Sequence, residues 1–139
     1  MATKADFTEQ EWHALEQGPT GAGMYVATSD SGFWDSFKEA NALAKHLADA
    51  HAHNDNELVR EIAKSHDRPF GSTDSPAEIE EATTATLSAA VAALTEKAPD
   101  DLDAYRKFVM DVAQSVAAAA KGVGSKETEA LAKIKEALG

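Results

Sequence analysis

Carboxylate and imidazole side chains recur along one face of the second long helix that the sequence predicts. Asp35, Glu39, Ala42, His46, Asp49 and His53 follow one another at steps of four and three residues. Such steps place side chains one turn apart on the same helix face. Nitrogen and oxygen donors arranged in this way suit a divalent metal ion. The predicted metal ligands are His46, Asp49, His53 and Glu39.

The same polar face is also compatible with a simple solvated surface. It contains no Glu-x-x-His pair of the di-iron bundle type, and no second helix carries a matching motif. His53 lies at the predicted helix end, where the dipole favours an imidazolium, and Asp49 lies one turn before it. We call the face that carries Asp35, Glu39, His46, Asp49 and His53 the polar stripe. A second acidic group, which could lie opposite this stripe, comprises Glu78, Glu80 and Glu81. Both interpretations therefore stay open.

Two other motifs resemble functional sites but are explained more simply as structural features. Residues 18–23 have the glycine content of a phosphate-binding loop, but no Gly-Lys-Ser/Thr follows, so we interpret the segment as helix-breaking. The serines near Asp30 and Asp35 lack a nucleophile elbow and are interpreted as helix caps. The sequence thus predicts no catalytic residue and no organic cofactor.

Helices account for every element that would position these residues. Capping-box patterns begin helices at Thr8, Asn54 and Ser75, and Phe7 is expected to pack on Trp12 as a hydrophobic staple. The first helix is expected to end near Gln17, because Gly18-Pro19 follows. The further expected helices cover about 20–28, 32–52, 76–98 and 102–121. The Asn54 capping box is expected to open a short helix that runs through Ser65, and Ser125 is expected to cap a last helix that reaches Leu138.

Apolar stripes of helical period predict a shared core, and no alternating strand pattern is present. In the second long helix the predicted buried face includes Ala44, Leu47 and His51. The residues expected to be buried are Phe37, Leu47, Leu87, Val91, Leu94, Tyr105, Val109, Val112, Val116 and Ile134. Short links favour antiparallel neighbours, so we expect an all-α, compact single-domain bundle of about six helices over residues 1–139, with a mobile loop near 68–75.

Charge and composition narrow the classes of function. The chain has 13 basic and 24 acidic residues, a formal net charge of −11 and no cysteine. No basic cluster is available to neutralise phosphates, so nucleic acid is not an expected partner. The longest uncharged stretch, 82–95, is too short to span a bilayer, and the first residues lack an apolar run. We therefore expect a cytoplasmic protein with no membrane insertion.

Several segments carry a resemblance to known proteins. Residues 7–12, then Gly18-Pro19, Ala22-Gly23-Met24 and Asp30-Ser31-Gly32, resemble the opening of a group of small uncharacterised bacterial all-helical proteins. The Ser-x-x-Thr-x-x-Leu start of the last helix is similar to that group too. More distantly, the helix layout resembles the tellurite-resistance TerB-like domains. That resemblance implies acidic metal-binding positions, with residues 30–32 as the loose counterpart, and a link to stress response.

Two functions follow from these observations. The first is a non-enzymatic helical module that binds a protein partner or assembles with itself, with a stress-related role implied by the resemblance. The alternative is a divalent-metal-binding protein, or a metal-dependent hydrolase, that uses His46, Asp49 and His53. A second ligand cluster facing the stripe would discriminate between them.

Overall fold

The computed structural model describes residues 4–31, 37–63, 76–119 and 125–139, and these contain six α-helices and no strand. The helices are α1 (Glu9–Ser31), α2 (Phe37–His53), α3 (Glu57–Ile62), α4 (Pro76–Lys97), α5 (Leu102–Ala119) and α6 (Ser125–Leu138). Two short 3-10 turns cover Lys4–Asp6 and Pro99–Asp101. The all-α prediction is confirmed. None of these helices is long and apolar enough to cross a membrane.

The predicted capping box opens α1. The Glu11 amide donates to the Thr8 hydroxyl at 3.1 Å, and the Thr8 amide donates to the Glu11 carboxylate at 2.9 Å. Phe7 and Trp12 pack as the hydrophobic staple, with ring centroids 6.0 Å apart. Lys97, at the end of α4, pairs with Glu11 and lies over the Phe7 ring. The start of α1 is therefore joined to the end of α4.

The predicted end of the first helix at Gln17 is wrong, because α1 runs unbroken through Gly18 and Pro19 to Ser31. Proline has no N–H, so the carbonyl four residues earlier, that of Leu15, loses its helical donor. The Tyr105 hydroxyl of α5 supplies a donor instead, at 3.0 Å from the Leu15 oxygen. A distant side chain thus replaces the missing backbone hydrogen bond.

Every residue from 18 to 26 of α1 is buried. This segment packs on α4, α5 and α6, so α1 occupies the centre of the bundle. Glycines at 18, 21 and 23 keep the helix thin, and the Thr83 hydroxyl of α4 donates to the Gly21 carbonyl at 3.3 Å. The segment that the sequence marked as helix-breaking, residues 18–23, instead continues α1 and is buried along its whole length.

The N-cap of α3 lies two residues later in the chain than predicted. Asn56, rather than Asn54, is the N-cap: its side-chain oxygen accepts from the Val59 amide at 3.0 Å. Asn54 supports this cap by accepting from the Asn56 amide at 2.8 Å. The Asn56 amide group also donates to Asp101 at 3.0 Å, which connects α3 to the turn before α5. The Asn54 cap prediction is therefore wrong, although the helix itself is present.

The predicted core is largely confirmed. Eight of the ten expected residues are buried: Leu47, Leu87, Leu94, Tyr105, Val109, Val112, Val116 and Ile134. Val91 is half-buried and packs against this core. The Phe37 side chain lies outside the described residues, as do the predicted loop near 68–75 and the segment 32–36 where the second long helix was expected to begin.

The buried face of α2 differs from the prediction. Ala44 and His51 are exposed, whereas Leu47 and Ala50 are buried and His46 is half-buried. This helix packs on α5 and α3 and lies at the edge of the bundle. Among the α2 side chains that the structure describes, 44–53, the buried ones are Leu47 and Ala50. The spacing of small residues did not predict correctly which side of this part of the helix would be buried.

Candidate functional site

The predicted metal ligands lie in different surroundings along α2. Asp49 and His53 are exposed, His46 is half-buried, and the Glu39 side chain lies outside the described residues. Among the described residues, no three His, Asp or Glu side chains gather in a way that could hold a metal ion. The four-ligand site therefore stays a prediction that depends on Glu39.

His46 contacts α5 through both its ring nitrogen and its ring face. Its Nδ1 lies 3.0 Å from the Ser115 hydroxyl, and its ring stacks on Phe108 with centroids 6.3 Å apart. A serine hydroxyl can donate to a neutral Nδ1 or accept from a protonated one. The pair accordingly holds α2 on α5 in either protonation state of the imidazole. Among the described residues, no hydrogen bond to the Nε2 atom is present.

His51, which the sequence placed in the core, is instead the exposed histidine with a fixed tautomer. Its Nδ1 lies 3.0 Å from the Arg60 carbonyl oxygen, which can only accept, so Nδ1 carries the proton. The neutral ring then has its lone pair on Nε2. Metal-binding histidines commonly have this arrangement, yet no cluster of further ligands surrounds it in the described part of the chain.

Within the part of the chain that the structure describes, Glu80 of the acidic group of α4 pairs with α6 and not with the predicted ligands on α2. The α4 helix packs chiefly on α1 and α6, and Glu80 pairs with Lys133 of α6. Hydrogen bonding to Glu80 raises the pKa of Lys133. Burial, together with the charge of Glu80, raises the pKa of the neighbouring Tyr25 hydroxyl. The role of Glu80 in the described structure is thus to join α4 to α6.

The side of α4 that points away from α1 and α6 forms a continuous exposed strip, which we call the outer face of α4. At about 100° per residue, its members lie within about 120° of one another around the helix. They are Ala77, Glu78, Glu81, Ala85, Ser88, Ala89, Ala92, Thr95 and Glu96. Small residues occupy the middle, and glutamates lie at both ends.

The outer face offers shape and charge but few polar groups in its middle. The Thr95 hydroxyl bonds back to the Val91 carbonyl of its own helix at 2.7 Å. No lysine or arginine belongs to the face, because Lys97 points toward Glu11. No motif in the sequence singles out this surface, although the apolar stripe of α4 implies that the opposite side of the helix is exposed.

A buried carboxylate lies in the 3-10 turn that connects α4 to α5. Asp101 is 8% exposed and accepts from Asn56 at 3.0 Å. Arg60, four residues after Asn56, donates to the Asn54 carbonyl at 2.6 Å. These contacts cap α3 and connect it to the turn before α5, so we interpret the cluster as structural.

Comparison of the chain with protein-family models, with curated proteins and with solved structures gave no match.

Proposed function

We propose that the protein is a non-enzymatic helical module that binds a positively charged helical segment of another protein through the outer face of α4. The observation that carries the proposal is the composition of this face: small residues along its middle, glutamates at both ends, and no cation of its own. A face of small residues accepts large side chains from a partner helix, because the two axes can approach closely.

The charge of the face selects the partner. Docking two copies of α4 in antiparallel fashion would place Glu81 of one copy near Glu96 of the other. Parallel docking would place like residues together, so both arrangements bring negative charges into contact. The formal net charge of −11 adds to this repulsion. A partner helix with lysine or arginine at the two ends of an apolar stripe would place positive charges beside these glutamates, so the repulsion would be replaced by attraction.

The resemblance to TerB-like domains supports a stress-related role for such a module. It adds no residue to the binding surface, which is inferred from the outer face of α4 alone. The proposal therefore concerns the class of partner, a cationic amphipathic helix, and the surface of α4 that receives it.

A designed peptide tests this proposal. The probe is a fluorescein-labelled helical peptide with leucines along one face and a lysine pair near each end, and the matched peptide has glutamate pairs instead. We expect saturable binding of the lysine peptide by fluorescence anisotropy, weakened by added salt, and no binding of the glutamate peptide. Absence of saturable binding by the lysine peptide would refute the proposal.

Two pairs of variants locate the binding surface. The double variant Glu81→Lys and Glu96→Lys should weaken binding by about tenfold, because each end would then repel the peptide. Asp55→Lys with Glu136→Lys makes the same charge change at exposed positions elsewhere and should bind normally. Ala92→Trp should block the face, whereas Ala132→Trp, at an exposed position of α6, should not. Equal weakening by both charge variants would mean general attraction to an acidic protein and would contradict the proposed site.

A further inference from the structure

We draw no further inference here: the strongest candidate, the half-buried His46–Ser115 pair between α2 and α5, belongs to the site already described, and neither side chain is hydrogen-bonded to a further polar group among the described residues that would indicate a ligand or a substrate.

Discussion

The Tyr105 hydroxyl donates to the Leu15 carbonyl oxygen at 3.0 Å, across 90 residues of sequence and inside the bundle. Pro19 removes the backbone donor that this carbonyl would have in a regular helix. Gly18 leaves the space through which the hydroxyl approaches, since a Cβ there would lie 2.1 Å from the Tyr105 oxygen. Burial raises the pKa of Tyr105, so the hydroxyl keeps its proton and remains a donor. Gly18 and Pro19 of α1 and Tyr105 of α5 thus depend on one another.

Replacing Tyr105 by phenylalanine should lower the free energy of unfolding by about 1–3 kcal/mol, because the buried Leu15 carbonyl would lose its donor. Pro19→Ala restores the backbone N–H that would donate to this carbonyl in a regular helix. Tyr105→Phe should therefore lower the free energy of unfolding clearly less in the Pro19→Ala protein than in the native protein. Urea unfolding of the four proteins gives the coupling between the two positions. The same loss in both backgrounds would show that the hydroxyl does not compensate for the proline.

Gly18→Ala should destabilise the protein, although glycine to alanine in an ordinary helix interior stabilises by about 0.5–1 kcal/mol. The added Cβ would lie 2.1 Å from the Tyr105 oxygen and 3.2 Å from a Leu87 methyl carbon. We expect a loss of about 1–3 kcal/mol from overpacking, measured by urea or thermal unfolding. Tyr105→Phe removes the closest atom, so Gly18→Ala should cost less in that background. A stabilising effect of Gly18→Ala in the native background would contradict this packing.

Acid should weaken the contact between α1 and α4. Hydrogen bonding to Lys97, then to the Thr8 amide, lowers the pKa of Glu11 below its ordinary value of 4.5. A lowered pKa in the folded state means that the ionised carboxylate stabilises the fold above the unfolded value, and that this contribution is lost as the pH falls below 4.5 through the folded pKa. Glu11→Gln should therefore be less stable than the native protein at pH 7, and the difference should shrink as the pH falls below 4.5.

Glu9→Gln is the matched control for this pH profile. Glu9 lies in the same first turn of α1 and shares its interaction with the helix dipole, but it is not part of the capping box. Thermal unfolding across the acid range should show a pH-dependent difference for Glu11→Gln that is larger than the difference for Glu9→Gln. Parallel profiles for the two variants would assign the effect to the helix dipole instead of the pairing with Lys97.

The predicted metal site on α2 can be tested by adding zinc while histidine resonances are followed by NMR. If Glu39, His46, Asp49 and His53 bind the ion together, the resonances of His46 and His53 should shift before those of exposed His13. The effect should weaken as the pH is lowered, because protons compete for the imidazole nitrogens. His46→Ala should abolish the response of His53. Unchanged His46 and His53 resonances in excess zinc would leave the stripe as a solvated face.

Local patterns in the sequence were sufficient to predict most helices and most of the core. The Thr8–Glu11 capping box, the staple of Phe7 on Trp12 and the stripe from Tyr105 to Val116 depend on residues within a few turns of one another. Such short-range signals survive in the folded protein because they are the same contacts that start and orient each helix.

Tertiary contacts decided the features that the sequence misjudged. Pro19 remains inside α1 because Tyr105, distant in sequence, supplies the lost hydrogen bond. His51 is exposed and His46 half-buried because α2 turns Leu47 and Ala50 toward its neighbours α5 and α3. The outer face of α4 is determined by α1 and α6, which cover the other sides of this helix. Helical period fixes which residues share a face, but only the neighbouring helices determine which face is buried and which carbonyl finds a donor.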